Sequence, residues 1–173
     1  MGKETIITEI KQKFPSFERP ISYVTRPMRD GEENGVQYHF VTRDEFEKMM
    51  ARDLFAETDA HFSHLYGTTK ASLVEALETG DVLIEIDVKG AFQIKSKFPE
   101  AKLIFINPPS LKELEKRIRK RGKDSEEAIQ TRLARAETEI EASKKYDYIV
   151  ANDKLEEAIS EITTLLEKLL VLK

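Results

Sequence analysis

The sequence predicts an α/β domain in which helices flank a largely parallel β-sheet, and three observations support this prediction. Residues 82–87 form an apolar run that is too short for a helix and too apolar for an edge strand, as expected of a buried parallel strand. Apolar residues recur at helical spacing after two capping boxes, which begin at Thr42 and Ser110. Short runs of β-branched and aromatic residues between turns indicate a small additional mixed sheet.

Composition narrows the class of protein further. The chain has 173 residues, which suits one domain of ordinary size. It contains no cysteine, and therefore no disulfide framework and no cysteine-based metal site. Its formal net charge of −4 argues against a general nucleic-acid-binding protein, and no apolar run reaches the length of a membrane span. We expect a cytoplasmic protein with no nucleic-acid or membrane partner, acting as a monomer or homodimer.

The individual elements follow from capping residues, apolar spacing and turn residues. Helices are predicted where apolar residues recur every three or four positions, and strands where β-branched and aromatic residues cluster. The predicted helices cover residues 2–14, 42–50, 69–80, 89–97 and 110–121, followed by one that starts near 124 and one that starts after 153. The predicted strands cover residues 21–25, 36–41, 54–60, 64–66, 82–87, 102–107 and 146–151.

The stretch 21–40 predicts an anion-binding turn. Its first strand delivers Arg26 and Arg29 onto a loop that contains two glycine turns. The next apolar run returns Tyr38 toward the two arginines. Two guanidinium groups and a phenol around one small space suit a tetrahedral anion such as a phosphate. A turn with solvated arginines is the alternative, because exposed arginines are common.

Two other groups of charged residues are candidates for ligand binding. Glu85 and Asp87 lie at the carboxyl end of the predicted strand 82–87, where α/β sheets usually bind ligands. Arg117 and Arg121 are four residues apart on a basic helix, so they share one helix face and can bind one anion. A solvated helix face is the alternative for these arginines, because cations are common near a helix C-terminus.

These stretches together resemble the guanylate kinase family, and they occur in the family's order. The matching positions are Ser22, Arg26, Arg29, Tyr38, Glu57 in Phe55-Ala-Glu-Thr58, Tyr66-Gly-Thr68, Glu85-Ile-Asp87, Arg117 with Arg121 and Gly122, Arg132, and Asn152-Asp153. The resemblance covers nearly the whole chain. It implies a single domain with a P-loop-kinase-like parallel sheet as its core over residues 1–26 and 80–173. It also implies a small mixed GMP-binding lobe over 27–79 and an arginine-rich helical lid over about 117–135.

The resemblance implies transfer of the γ-phosphoryl group of ATP to GMP with Mg²⁺, giving ADP and GDP. The implied GMP contacts are Ser22, Arg26, Arg29, Tyr38, Glu57, Tyr66, Thr68 and Asp87. The implied catalytic cations are Lys3, Arg29, Arg117, Arg121 and Arg132. The implied ATP contacts are Gly2, Lys3, Thr5 and Asn152, and the implied Mg²⁺ ligands are Thr5 and Glu85. Glu57 can select guanine because one carboxylate accepts hydrogen bonds from both N1–H and N2–H₂, a pair that adenine lacks.

The sequence departs from the family pattern at the P-loop. Only its last part is present, in Gly2 and Lys3, with Glu4 where a hydroxyl is often found and Thr5 as a partial replacement. The first core strand is therefore expected to be missing, and we favour truncation of a longer protein as the explanation. A strand recruited from a second copy and a genuinely shortened relative are the alternatives. The alternative function is a catalytically impaired guanylate kinase-like module that binds GMP or a phosphorylated peptide.

Overall fold

The computed structural model describes residues 3–61, 63–122 and 125–171, with the side chains at 3, 4, 61 and 121 excepted. Its α-helices are α1 (Lys3–Lys13), α2 (Arg43–Ala51), α3 (Lys70–Thr79), α4 (Val88–Lys97), α5 (Leu111–Arg121), α6 (Glu126–Ala142) and α7 (Leu155–Val171). Its strands are β1 (Tyr23–Val24), β2 (His39–Phe40), β3 (Phe55–His61), β4 (His64–Thr69), β5 (Ile104–Asn107) and β6 (Tyr148–Ala151). None of the helices in the described ranges is both long and apolar enough to span a membrane.

The chain forms two compact units. Unit 1 contains Met1–Phe14 and Lys102–Lys173, and unit 2 contains Pro15–Ala101. In unit 1, β5 and β6 pair in parallel, as predicted for the core, and α1 packs against α7. Ile6 and Ile10 are buried in α1, which confirms the apolar face predicted for this helix.

Unit 2 contains a four-stranded mixed sheet in the order β2-β1-β4-β3. β1 is parallel to β2 and antiparallel to β4, and β3 and β4 form an antiparallel hairpin. β1 and β2 are shorter than predicted, although the N–H of Thr25 still donates to Leu65 O at 3.0 Å and that of Val41 to Val24 O at 3.0 Å. The predicted small mixed sheet is therefore present, with regular pairing concentrated in β3 and β4.

The prediction of a buried strand over residues 82–87 is wrong. Val82 forms only an isolated parallel bridge with Glu18, supported by a 3.0 Å hydrogen bond from the Leu83 N–H to Glu18 O. Beyond that bridge, the described chain places no strand beside the run. The run still packs on one side, since Val82, Ile84 and Ile86 contact the buried cluster of Ala56, Leu73 and Ile94. Glu85 is exposed.

Capping residues fix the starts of several helices. The capping box at Thr42 and Glu45 is present in α2, and Thr69 caps α3, both as predicted. Ser110 caps α5, which ends at Gly122 in the left-handed conformation with φ of 62°. α6 is capped by Ser125, one position after the predicted start at Asp124, which lies outside the described residues. These local signals are strong because each one satisfies a backbone N–H or carbonyl group at a helix end.

Candidate functional site

Glu57, Thr68 and Ser22 form a continuous chain of hydrogen bonds in unit 2. Glu57 on β3 and Thr68 on β4 are cross-strand partners, so their side chains lie on the same face of the hairpin. The Thr68 hydroxyl donates to Glu57 Oε1 at 2.7 Å, and Ser22 Oγ lies 3.0 Å from Thr68 Oγ1. Glu57 is 4% exposed and Thr68 is fully buried. The structure therefore brings together three side chains that the sequence assigned to one base-recognition site.

Burial dominates the electrostatics of Glu57. Desolvation raises the pKa of this carboxyl group, and the nearby charges of Asp87 and Asp59 raise it further. Hydrogen bonds from the side chain and backbone of Thr68 act in the opposite direction. An ionised carboxylate in such a place is costly unless it accepts enough hydrogen bonds. A ligand that offers two parallel donors suits this group.

Asp87 lies beside Glu57 and also caps α4. Its Oδ1 accepts a hydrogen bond from the N–H of Gly90 at 2.7 Å. A β-carbon at Gly90 would lie 2.8 Å from Glu57 Oε2 and 3.3 Å from Asp87 Oδ1, so the two carboxylates flank the same glycine. The sequence placed Asp87 near the base, but it did not predict the capping role.

Arg26 is buried in the arginine turn, which we define as residues 26–38. Its Nη1 and Nη2 donate to Glu32 Oε2 and Oε1, each at 2.6 Å, in a two-pronged ion pair. The guanidinium carbon lies 5.3 Å from the ring centroid of Tyr38 and 5.4 Å from that of Phe40, within cation–π distance. The hydrogen bond to Glu32 is the main reason why the pKa of Arg26 is raised. Arg26 is thus fixed in one position.

Glu32 also connects Arg26 to Arg29. Its Oε2 accepts the backbone N–H of Arg29 at 2.8 Å. The Arg26 guanidinium first, and the Arg29 N–H second, lower the pKa of Glu32 to about 2, and the charge of Arg29 contributes as well. The side chain of Arg29 is exposed. The sequence analysis did not identify Glu32. Its position was a usable signal, because this acidic residue follows Arg26 and Arg29 and precedes Tyr38 on one short loop.

Tyr38 and Tyr66 lie close to Arg26. Their ring centroids are 6.2 Å apart in an edge-to-face arrangement. Tyr66 also forms a side-chain hydrogen bond that raises the pKa of Arg26. The structure therefore brings Arg26, Tyr38 and Tyr66 together, as predicted, with the exposed Arg29 at the edge of the same turn.

In unit 1, Arg117 and Asn152 meet. Arg117 Nη1 donates to Asn152 O at 3.1 Å, and its Nε donates to Glu113 Oε1 at 3.0 Å. The guanidinium therefore ties α5 to the loop that follows β6. Arg132 is half-buried on α6 and Thr5 is exposed on α1. Their predicted roles toward ATP stay predictions.

Three predicted residues lie wholly or partly outside the described structure. Lys3 begins α1 and Arg121 ends α5, but their side chains lie outside the described part of the structure, as does the whole of Gly2. The pair of Arg117 and Arg121 as joint ligands of one anion stays a prediction for the same reason. A different arginine, Arg119, joins α5 to α6 through Glu126 Oε2 at 2.6 Å.

The predicted Mg²⁺ ligands, Thr5 and Glu85, stay a prediction. Thr5 and Glu85 are both exposed. Within the described ranges, no three His, Asp or Glu side chains are grouped so that they could hold a metal ion. A cavity of about 530 Å³ between β6 and α7 is lined by none of the predicted site residues.

Comparisons with known proteins all lead to one family. The guanylate kinase family model matches residues 1–169. A guanylate kinase of Thermus thermophilus is 47% identical over 167 residues, which are 96% of this chain and 76% of that protein. One from Carboxydothermus hydrogenoformans is 46% identical over 95% of this chain and 81% of its own. The crystal structure of guanylate kinase from Anaplasma phagocytophilum aligns with a TM-score of 0.73 and 29% identity, covering 94% of this chain and 80% of that one.

Proposed function

The chain belongs to the guanylate kinase family and is an α/β enzyme of that type, and we propose that it transfers the γ-phosphoryl group of ATP to GMP, giving ADP and GDP. The hydrogen-bonded chain of Ser22, Thr68 and Glu57 is the observation that supports this function best. A buried carboxylate whose pKa is raised by burial is a good acceptor for the N1–H and N2–H₂ groups of guanine. The Thr68 hydroxyl donates to Glu57 in the structure, and in the proposed complex it turns to donate to O6 of the base instead.

The GMP phosphate binds at the arginine turn in this proposal. Arg26 and Arg29 supply the charge, and the phenols of Tyr38 and Tyr66 donate hydrogen bonds to phosphate oxygens. The ion pair with Glu32 and the two aromatic rings hold Arg26 in place before the ligand arrives. This preorganisation favours binding because little side-chain freedom is lost when the phosphate is bound.

Phosphoryl transfer depends mainly on alignment and on neutralising the charge of the transferring group, so no covalent intermediate with a side chain is required. The proposed cations for the transfer are Lys3, Arg29, Arg117, Arg121 and Arg132. Gly2, Lys3, Thr5 and Asn152 are the proposed contacts to ATP. Mg²⁺ is the proposed cofactor, bound together with the ATP phosphates, and Thr5 and Glu85 are its proposed protein ligands.

A coupled assay of ADP formation tests the proposal. The full chain, supplied with ATP, Mg²⁺ and GMP, should form ADP at a rate that depends on GMP, and AMP should not replace GMP. GMP binding without turnover would favour the impaired module instead. Absence of both GMP binding and turnover would contradict the proposal.

Both substrates are intracellular nucleotides, so the cytoplasm is the proposed location, and a monomer or homodimer stays the proposed state.

A further inference from the structure

Helix α4 lies along β3, which is an edge strand of the four-stranded sheet. Three residues of α4 contact β3 around Glu57: Gly90, Gln93 and Lys97. Their spacing of three and four positions places them on one face of the helix. Each of them acts on a different part of the strand, and none was singled out by the sequence.

Lys97 holds the backbone that precedes Glu57. The register between β3 and β4 shifts between Phe55 and Glu57, so Ala56 is an extra residue in a β-bulge. Lys97 Nζ donates to the carbonyl oxygens of Phe55 at 3.0 Å and Ala56 at 2.8 Å. A bulge changes the direction of the neighbouring side chain. The ammonium group therefore stabilises the backbone geometry that directs Glu57.

Gln93 holds the backbone that follows Glu57. The Thr58 N–H donates to Gln93 Oε1 at 3.1 Å, and Gln93 Nε2 donates to Thr58 O at 2.9 Å. An edge strand has no neighbouring strand on one side. The Gln93 amide takes the place of that neighbour by hydrogen bonding to both the N–H and the carbonyl oxygen of Thr58. Together, Lys97 and Gln93 fix the strand on both sides of Glu57.

Gly90 provides the space for the Glu57 carboxylate. A β-carbon at position 90 would lie 2.8 Å from Glu57 Oε2, a distance at which one of the two atoms has to move. The atom that can move is the carboxylate oxygen, since it is at the end of a flexible side chain. Glycine is less favourable than alanine inside a helix, so helix stability does not explain its presence in α4.

We propose that Gly90, Gln93 and Lys97 position the Glu57 carboxylate for guanine, and that Gly90 thereby determines purine specificity. This inference rests on the proposed function, in which Glu57 accepts hydrogen bonds from guanine N1–H and N2–H₂. Gly90 acts by leaving space, and Gln93 and Lys97 act by holding the strand. All three act on the nucleotide through Glu57.

The variant Gly90→Ala tests the inference by separating specificity from stability. Calorimetry measures the binding of GMP and of IMP, whose base lacks the 2-amino group, to the full chain. We expect GMP binding to weaken by about tenfold or more, since a displaced carboxylate loses hydrogen bonds to the base. IMP binding should weaken less, so the GMP-to-IMP preference falls. The midpoint of thermal unfolding should stay the same or rise, because alanine favours a helix.

Gly80→Ala is a matched control. A β-carbon at Gly80 would lie 2.7 Å from the backbone oxygen of Ser16. A backbone atom cannot move aside as easily as the end of a flexible side chain. This variant should therefore lower the unfolding midpoint and keep the GMP-to-IMP preference. If Gly90 has only a structural role, Gly90→Ala should instead lower the unfolding midpoint and keep the GMP-to-IMP preference, as expected for Gly80→Ala.

Gln93→Leu and Lys97→Met extend the test to the positioning residues. Both should lower the GMP-to-IMP preference, with Ser96→Ala as the control on the exposed side of α4. An unchanged preference in folded Gly90→Ala overturns the inference, and if that variant does not fold, Gln93→Leu decides in the same way. A wild type that does not prefer GMP over IMP overturns the guanine-recognition function itself, which distinguishes the two failures.

Discussion

Glu57 on β3 and Glu32 in the arginine turn are both carboxylates of unit 2, yet their surroundings shift their pKa values in opposite directions. Burial raises the pKa of Glu57, which accepts a hydrogen bond from the uncharged Thr68 hydroxyl. The two-pronged pair with Arg26 lowers the pKa of Glu32 to about 2. One carboxylate is held at a cost in free energy, and the other is stabilised by its neighbours.

This difference shows two ways of preparing a binding site. In the proposed function, the arginine turn orders Arg26 through its ion pair with Glu32 before a phosphate binds. The strand that carries Glu57 keeps an acceptor in a buried place, so that a ligand with two donors improves its surroundings. Substitutions in the two regions should therefore separate binding from stability in different ways, and five predictions test this.

The largest effect is expected for Glu57→Gln. GMP binding should weaken about 100-fold, because two hydrogen bonds to a charged acceptor are lost or weakened. The unfolding midpoint of the free protein should rise by about 2–4 °C, because an uncharged amide avoids the cost of burying charge. Calorimetry and thermal unfolding measure the two effects. A variant that still rejects AMP as strongly as wild type contradicts the role of Glu57.

The variant Arg26→Lys should lose both binding and stability. Lysine carries the charge but cannot form the two-pronged pair with Glu32, so we expect GMP binding to weaken about thirtyfold. The unfolding midpoint should fall, in contrast to Glu57→Gln. Arg43→Lys is the control, because its ion pair with Glu47 is exposed at 58% and 53%. Equal effects at positions 26 and 43 would show that burial under Tyr38 and Phe40 is unimportant.

The variant Arg29→Ala should affect binding alone. Its side chain is exposed, so stability should change little, while the loss of one cation at the phosphate should weaken GMP binding about tenfold. Arg19→Ala, another exposed arginine of unit 2, should leave GMP binding unchanged. Unaltered GMP affinity in Arg29→Ala would remove this residue from the site.

The smallest effect is a pH dependence specific to Glu57. Because the pKa of Glu57 is raised above 4.5 in the folded state, protonation starts to reduce GMP binding at a higher pH than for an ordinary glutamate. The ratio of wild-type to Glu57→Gln affinity, measured from pH 7.5 downward, should begin to fall before the pH reaches the ordinary glutamate value of 4.5. Taking the ratio to Glu57→Gln removes the effect of the titration of the GMP phosphate, because that titration affects both proteins equally. A ratio independent of pH in this range would show that Glu57 stays ionised.

The same raised pKa predicts how stability changes with pH. Above the folded-state pKa, the folded protein bears the full cost of the buried charge, and below the unfolded value near 4.5 both states are protonated and the cost disappears. The stability advantage of Glu57→Gln should therefore shrink as the pH falls toward 4.5. Glu32 lacks this behaviour because its pKa is shifted downward.

Local signals made part of this structure predictable. Thr42, Thr69 and Ser110 cap their helices as predicted, because a cap depends only on residues within one turn. The β3–β4 hairpin was also predictable from its short β-rich runs. The strand over 82–87 was not, because a β-ladder requires a partner from elsewhere in the chain, and the described chain supplies only the bridge at Glu18.

The candidate site was predictable to the extent that its residues occur in family motifs. Ser22, Glu57 and Thr68 were assigned to one site, and the structure places them in hydrogen-bond contact. Gly90 was missed because its importance depends on proximity in space, whereas Glu32 was missed although its position in the arginine turn was a usable signal. Nothing in the sequence around Gly90 shows that the Glu57 carboxylate fills the space beside it.

Tyr38 and Tyr66 lie close together beside Arg26, so the tyrosine fluorescence of the protein is sensitive to changes at this place. The chain contains five tyrosines and no tryptophan, so its intrinsic fluorescence comes from tyrosine alone. In the proposed function, a phosphate that bonds to the two phenols and to the guanidinium alters the surroundings of both tyrosines at once. Occupancy of the arginine turn can therefore be followed in unlabelled protein by its ultraviolet emission, with Tyr38→Phe identifying the share that comes from one ring.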